Sequence, residues 1–460
     1  MSTAASRMRR DAQFWRQHLQ FGPGLLCLAL AAGAQGALAE DQGDAGTATG
    51  QGIELRLHAD GRRANTAGPI AAAKALAPGI AAPTPSSAVA ELEWRKSWHA
   101  RLGELPLALE SDLLLAHEWP QGSAPGRDLS RINELHASVD LGSWQLAAGR
   151  RIVAWDVGYG FRPIDVVQQE ERRQLLSSTP EGRPLLQAEY FGAEDALSLV
   201  WVNPQHWSDP AAAQRRGEES AFAARAYRRL GALDLHLLSR WGRHTGWSAG
   251  GALAWVATDE LELHASARLM RRHEGWALDP ALVESTLARS NPWALQTQGG
   301  ASQWLLGAQW TGAAQQSLLL EYWHDGNAPS DVQWSGWQAR NLALGALASA
   351  RPALAGVAAG NLAWQATPFE GASLRRNNLF LRLAWQPAQV PDWAPGNWQW
   401  TLDMLYHPSD AGRIVTAGLQ WQGDRVRVNA AWRRFGGPGS ALLAQLPQGS
   451  SALLAVTWSY

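Results

Sequence analysis

The 460-residue sequence predicts an all-β protein, a single transmembrane antiparallel β-barrel of about 18 strands. Three observations lead to this fold class. The chain starts with an export signal and has no later membrane helix, its last strand ends in an aromatic residue, and segments of period-two hydrophobicity are separated by alternately short and long gaps. All three are typical of chains that cross a bilayer with strands.

Residues 1–39 are predicted to be a cleaved signal peptide, which leaves 40–460 as the barrel. Arg7, Arg9, Arg10 and Arg16 form a basic segment, 25–34 is apolar, and 37–39 supplies a cleavage site of Ala-Leu-Ala type. No later stretch approaches the ~18–20 apolar residues of a membrane helix. An exported chain of this kind is either soluble or a closed transmembrane barrel.

Composition excludes several classes of function. The formal net charge of -1 offers no bulk basicity, so nucleic acid is not an expected partner. The only cysteine, Cys27, falls in the signal, which removes disulfides, thiolate metal sites and cysteine nucleophiles from the mature chain. We expect no metal and no cofactor. The 26 tryptophans suit the two membrane–water interfaces, with a Trp-rich carbohydrate-binding β protein as the alternative.

The C-terminal segment 450–460 alternates between two faces, and an aromatic residue ends it. Such a strand resembles the assembly signal of bacterial outer-membrane barrels. The expected partners are therefore the barrel assembly machinery and outer-membrane lipid. The residues that share the apolar face are Ala452, Leu454, Val456, Trp458 and Tyr460.

Aromatic residues recur on the apolar faces of other strands at a spacing that fits a bilayer. Trp247 and Trp255 lie eight residues apart, as do Trp398 and Tyr406. Eight residues span about 26 Å of strand, or about 20 Å along the membrane normal at a ~40° tilt, near the ~25 Å between aromatic girdles. The predicted girdle consists of Trp247, Trp255, Trp398, Tyr406, Trp432, Trp458 and Tyr460.

The gaps between candidate strands fall into two sets. One set is short, for example 141–143 and 230–231, and the other is mostly long, for example 155–184 and 325–376. Short periplasmic turns and long external loops are the usual asymmetry of such barrels. With an even number of strands, this arrangement places both termini in the periplasm. Eighteen strands are predicted, with 16 as the alternative because 51–58 and 185–191 are weak. The loop segments 64–88 and 338–367 either form helices that fold inward or cap the mouth, or stand in solvent.

Polar residues on the opposite strand faces are candidates for the pore lining. Along 424–434, Arg425, Arg427 and Arg433 alternate with Val426, Val428, Ala430 and Trp432. Charges of both signs inside a barrel either create a field that orients solutes or simply pair and stay hydrated. The strand candidates are Glu262, His264, Arg268, Arg382, Asp403, Arg425, Arg427 and Arg433.

Segment 148–165 carries a resemblance to a known family. It is similar to a G-R-Q-x-x-x-W-G, N-P-x-D pattern of a poorly characterised bacterial outer-membrane porin-like β-barrel family, itself distantly similar to alginate-export barrels. The chain matches that pattern at Gly149, Arg150, Trp155, Pro163 and Asp165, and departs from it at Arg151, Asp156 and Arg162. The segments that begin at Glu321 and Arg375 are similar to later parts of the family.

The motif is a strand that runs into a Gly-rich turn at the root of the 155–184 loop. Arg151, Asp156, Arg162 and Asp165 are therefore expected near the pore mouth, where they form either a selectivity constriction or a salt-bridged hinge.

Three functions are compatible with these patterns. The favoured one is a porin-like channel for diffusion or export of hydrophilic or acidic solutes, to which the resemblance adds polymers. The alternatives are a closed barrel that acts as an envelope scaffold or export-system partner, and an outer-membrane hydrolase built on pairs such as Asp234/His236 and Glu262/His264. We do not expect an enzyme, because no nucleophile motif lies near these pairs. The sequence does not name the oligomeric state.

Overall fold

The computed structural model describes residues 51–80, 86–122, 124–168, 175–176, 179–278, 286–387 and 396–460. The predicted signal peptide, 1–39, lies outside these residues. All the strands and helices below belong to one compact unit.

Eighteen antiparallel strands form one sheet. The barrel strands are β1 (Gly52–Ala64), β2 (Ser87–Leu102), β3 (Leu105–Pro120), β4 (Arg127–Leu141), β5 (Trp144–Arg151), β6 (Arg183–Phe191), β7 (Asp195–Val202), β8 (Ala221–Leu230), β9 (Leu233–Gly242), β10 (Gly246–Thr258), β11 (Leu261–Met270), β14 (Ala301–Thr311), β15 (Gln316–Asp325), β16 (Asn377–Trp385), β17 (Asn397–His407), β18 (Gly412–Gln422), β19 (Val426–Gly436) and β20 (Gln448–Ser459). The sheet is closed, because β1 pairs with both β2 and β20. The predicted all-β barrel of 18 strands is confirmed.

The alternative count of 16 is wrong, because both weak segments are barrel strands with two neighbours. The segment predicted as 51–58 extends to Ala64 and pairs with β2 and β20. The segment predicted as 185–191 starts at Arg183 and pairs with β5 and β7. Inside a bilayer each unpaired backbone group is costly, so a closed barrel keeps even its least patterned strands in the ladder.

Side chains alternate between an apolar outer face and a polar inner face. On β11, Leu269 is exposed outward, whereas His264 and Arg268 point inward and are buried. On β20, Leu454 is exposed outward, whereas Thr457 is buried inside. Exposed leucines and tryptophans recur around the outer wall. This surface suits lipid and places the protein in the outer membrane.

The two ends of the barrel differ in the length of their connections. Short turns join β2 to β3 and β8 to β9, whereas long connections follow β1, β5, β11 and β15. The connection after β11 contains a hairpin, β12 (His273–Leu278) and β13 (Trp293–Gln298), which pair only with each other. The sequence pattern predicts only a long loop there. It does not reveal the hairpin, because each of the two strands is only six residues long.

Three helices occupy the long-loop end: α1 (Pro69–Leu76), α2 (Asp331–Ala350) and α3 (Ala355–Trp364). They pack on one another through Ala73, Leu344, Ala359 and Leu362, all of which are buried. None of the helices in the described residues is long and apolar enough to cross a membrane.

Helix α2 also covers part of the barrel mouth. A capping box formed by Ser330 and Gln333 begins the helix. Its Trp334 and Trp337 pack in a cluster with Ile414 on β18 and with Leu442 and Leu443 of the β19–β20 connection. Ile414 lies on the inner face of its strand. The helices of the long loops therefore cap the wall around β18 and do not stand free in solvent.

Replacing Val428 with Arg should place a charge on the lipid-facing side of β19, opposite Trp421 of β18, and lower the free energy of unfolding by up to about 2–4 kcal/mol. The neighbouring inward-facing position provides the matched control, since Asn429→Arg should be tolerated. Denaturant titration of both variants refolded in phospholipid vesicles measures the difference. If Asn429→Arg is the damaging change, the two faces of β19 have been exchanged.

Candidate functional site

The connection after β5 turns into the barrel and covers part of its inner wall. We call residues 152–168 the inward loop. Its apolar side chains Val153, Trp155, Ile164 and Val167 are buried in one cluster with inner-wall residues. The wall residues in this cluster are Leu185 on β6, Val200 and Val202 on β7, Ala223 on β8, Leu238 on β9 and Ala252 on β10. The inward loop therefore packs on an apolar part of the inner wall.

Two carboxylates, the buried Asp165 and the half-buried Asp156, give the inward loop its shape. Asp165 accepts hydrogen bonds from the backbone N–H groups of Trp155 (2.6 Å) and Asp156 (2.8 Å). Asp156 in turn accepts one from the N–H of Ile164 at 2.6 Å. Burial raises the pKa of Asp156 to about 6, against the lowering effect of these backbone bonds. These hydrogen bonds lie within the loop and fix its shape in addition to its contacts with the barrel.

A carboxylate on the barrel wall fixes the tip of the inward loop. Glu321 on β15 is fully buried and accepts hydrogen bonds from the N–H groups of Tyr159 (2.7 Å) and Gly160 (2.6 Å). His264 Nε2 lies 3.0 Å from the same carboxylate. Bonds to a charged acceptor are stronger than neutral ones, so Glu321 is the main anchor of the tip.

Two glycines make this anchor sterically possible. Gly307 on β14 is the register partner of both His264 and Glu321. A Cβ atom at Gly307 would lie 2.0 Å from His264 Nε2, so only glycine lets the imidazole cross β14 to the carboxylate. At the loop tip, a Cβ at Gly160 would lie 2.8 Å from the Glu321 carboxylate. Aromatic contacts complete the tip: Phe161 stacks on Trp323 with ring centroids 5.5 Å apart.

The inward loop reaches across much of the barrel. Its root is at β5, and its tip is bound to β15, eight strands further along the closed sheet. Between these ends it follows the wall of β6–β11. The lumen is therefore narrowed from one side. The loop also touches β4, where the Ile152 N–H donates to Glu134, and β16, where its tip lies beside Phe380, whereas the wall of β17–β20 and β1–β3 lies beyond these described contacts.

Ion pairs line the uncovered side near β1. Arg56 bonds to Glu54 (2.6 Å) and Glu91 (3.0 Å), and Arg95 lies 3.3 Å from Glu54. Arg427 on β19 lies 3.7 Å from Glu54 across β20. One arginine of the last strands thus meets an acid of the first strand, and the charges named here are all paired.

A second polar group lies on β16–β19. Arg382 pairs with Asp403 at 3.4 Å, and Arg433 Nε donates to Thr416 Oγ1 at 2.9 Å. Arg425, predicted to share the polar face of this strand with Arg427, lies exposed in the β18–β19 turn because β19 begins at Val426.

Several predicted pore-lining residues bond to neighbouring groups of the protein. Asp156, Arg162 and Asp165 bond within the inward loop, where Arg162 donates to the Gly158 carbonyl and faces Asp165. Arg151 bonds to Gln187 (2.9 Å) and Glu189 (3.4 Å) on β6.

On β11, the predicted residues are close to one another but differ in exposure. Arg268 is buried and donates to the Ser248 hydroxyl, and Glu262 lies 3.7 Å from His264. His264 itself is buried beneath the tip of the inward loop.

The predicted girdle residues within the strands point outward. Trp247, Trp255 and Trp432 are exposed, whereas Trp398, Tyr406 and Trp458 are half-buried between neighbouring side chains. Tyr460, the final residue, is exposed after the end of β20.

Sequence reasoning missed the role of Glu321. The signal was present, since a lone acid interrupts the run Leu318-Leu319-Leu320-Glu321-Tyr322 on a strand. Its partners in the inward loop, however, lie about 160 residues earlier. In the described part of the chain, no group of three or more His, Cys, Asp or Glu side chains is arranged to hold a metal ion.

Replacing Glu321 with Ala should free the tip of the inward loop, because two backbone N–H groups lose an acceptor and each such bond contributes about 1.5–3 kcal/mol. We expect a larger and noisier single-channel conductance in planar bilayers, from a barrel that still assembles. Glu262→Ala is the matched control on the same wall, since Glu262 faces the other ring nitrogen of His264, at 3.7 Å, and not the backbone of the loop tip. Equal conductance in both variants would contradict the anchoring role.

No family model and no curated protein matches the sequence. Solved outer-membrane porins match the structure at low identity. OccAB1 of Acinetobacter baumannii has a TM-score of 0.53 and 9% identity, with 89% of this chain and 95% of that one covered. OpdK of Pseudomonas aeruginosa, solved with vanillate, has a TM-score of 0.49 and 12% identity over 89% and 97% of the chains. The outer-membrane protein OprD of the same organism has a TM-score of 0.46 and 11% identity over 89% and 92%. The chain has the fold of an outer-membrane porin barrel.

Proposed function

We propose that this protein is an outer-membrane channel for the diffusion of small hydrophilic solutes, with a preference for acidic ones. One observation carries the proposal. On the side of the lumen that the inward loop leaves uncovered, inward-facing charged side chains keep much of their exposure: Glu110 45%, Arg382 42% and Arg427 37%. Charged groups inside a barrel with this exposure require water around them, so the lumen offers an aqueous path.

The inward loop supplies the narrowing that such a channel needs. It covers the inner wall from β6 to β11 and is fixed at its tip by Glu321. Solutes would pass on the side of β17–β20 and β1–β3, where ion pairs line the wall. The narrowing is stiff because its bonds are buried, and a stiff constriction discriminates by size.

The preference for acidic solutes rests on arginines that a solute can reach. Arg382 and Arg427 are both partly exposed, and their carboxylate partners lie at 3.4 and 3.7 Å, beyond ideal charge-assisted distance. A solute carboxylate can compete for a guanidinium held this loosely, because the fork geometry of Arg suits planar anions. Screening by water keeps each such contact weak.

A closed scaffold is the second candidate, and the helical cap favours it. Trp334 and Trp337 of α2 pack over the outer end of β18 and obstruct part of the mouth. If the cap and the inward loop close the lumen together, the barrel serves the envelope without conducting.

Reconstitution in planar bilayers separates the two candidates. A diffusion channel gives a steady current, and a closed scaffold gives none. In the triple variant Arg382→Gln, Arg427→Gln and Arg433→Gln, the reversal potential should shift toward cations. The expected change is of order 1 kcal/mol, or about fivefold in the permeability ratio.

Arg425→Gln is the matched control, because Arg425 lies in an exposed turn outside the strand. It should leave the reversal potential nearly unchanged. A shift in the control as large as in the triple variant would contradict the assignment of selectivity to the inner wall. Absence of steady current from the folded protein would overturn the channel itself.

A further inference from the structure

An apolar groove of about 780 Å³ runs across the outer, lipid-facing side of β4–β10. Small side chains form its floor, among them Ala148 on β5, Ala188 on β6 and Ala224 on β8. Larger ones such as Leu186 and Phe222 border it. The alanines are therefore the floor of a depression in the apolar outer wall.

Aromatic rings gather toward the long-loop end of this groove. Trp201, Phe222 and Trp241 border the groove, and Trp207 lies in the connection after β7. The Trp207 ring centroid lies 5.8 Å from that of Trp241 and 5.9 Å from that of Phe222. Tryptophans prefer the membrane–water interface, so this cluster marks the depth at which hydrocarbon meets headgroups.

Three arginines stand at the same end, just past the aromatic cluster. Arg243 lies over the Trp207 ring at 5.6 Å. The backbone N–H of Arg271 donates to the carbonyl of Trp247 at 2.9 Å, and Trp247 lines the groove, so Arg271 lies beside it. The Arg272 guanidinium comes close to Gly246 at the start of β10. All three are exposed, and none forms a salt bridge with a carboxylate in the part of the chain that the structure describes.

We propose that this groove and its arginines bind a phosphorylated, multiply acylated lipid of the outer leaflet. Acyl chains fill the depression over the alanines, and the phosphate groups accept hydrogen bonds from Arg243, Arg271 and Arg272. Along the barrel, the alanine floor is followed by the aromatic cluster and then by the arginines. This order matches that of the acyl chains, the interfacial region and the anionic headgroup in such a lipid. Arginine is the side chain best suited to phosphate, because its donors form a planar fork.

A second copy of the chain fits this surface less well. A symmetric contact between two copies here would bring the three exposed arginines of both copies into one interface. Burial of unpaired charges is strongly unfavourable. A lipid phosphate supplies the missing negative charge.

The test uses the mature full-length protein and lipid A, a glucosamine disaccharide that carries several acyl chains and two phosphates. Native mass spectrometry measures how much lipid stays bound as detergent is exchanged. We expect the wild type to retain diphosphorylated lipid A and to retain its dephosphorylated form much less. The variant Arg243→Gln, Arg271→Gln, Arg272→Gln should retain on the order of 10–100-fold less. Ala224→Trp, which fills the groove, should also reduce retention while all three arginines stay.

Arg413→Gln with Arg434→Gln is the matched control. Both arginines are exposed at the same end of the barrel on β18 and β19, away from the groove. Retention that falls equally in this control, or no retention by the wild type, would overturn the site. Ala224→Cys tests the other occupant, because disulfide-linked dimers in membranes would assign the groove to a second copy. Heat-dependent gel mobility verifies that each variant is folded.

Discussion

Closure of the sheet between β1 and β20 is the constraint on which the rest of this structure depends. In hydrocarbon each unpaired backbone N–H or C=O costs several kcal/mol, so a sheet with open edges cannot stay in a bilayer. The seam runs from the pair Glu54 and Ser459 to the pair Ala64 and Gln448. It also determines the electrostatics of the lumen. Glu54 and Arg427 are neighbours only because β20 brings the two ends of the chain together.

Closure of the sheet also leaves apolar side chains on the inner wall, and the inward loop buries them. The inner faces of β6–β10 carry Leu185, Val200 and Leu238, which a water-filled barrel would leave wet. The inward loop buries them and adds Trp155 and Ile164 of its own. Glu321 then holds the loop to the opposite part of the wall. A fully buried carboxylate is stable only with hydrogen-bond partners, and here two backbone N–H groups and one histidine are those partners. The inward loop is therefore tied to the barrel wall at its tip as well as along its apolar side.

The features that depend on local patterns could be predicted from the sequence, and those that depend on register could not. Alternation along β17, β19 and β20 identified their outer faces, and gap lengths identified the two ends of the barrel. Ion pairing could not be predicted, because Arg427 meets Glu54 across a seam that no local pattern reveals. The bonds of Asp156 and Asp165 to the backbone of their own loop were also hidden, since a charged turn looks the same whether it faces a pore or folds on itself.

The wall of β5–β10 carries small residues on both of its faces. Ala223 and Ala252 point inward, whereas Ala148, Ala188 and Ala224 form the floor of the outer groove. A wall with so few side-chain atoms gains little from contacts within the sheet, since dispersion energy grows with the number of close neighbours. Inside, the inward loop supplies the missing neighbours. Outside, only the membrane can do so, and a lipid held by its phosphates would fill the groove more completely than mobile chains. Loop and lipid would then support opposite sides of the same strands.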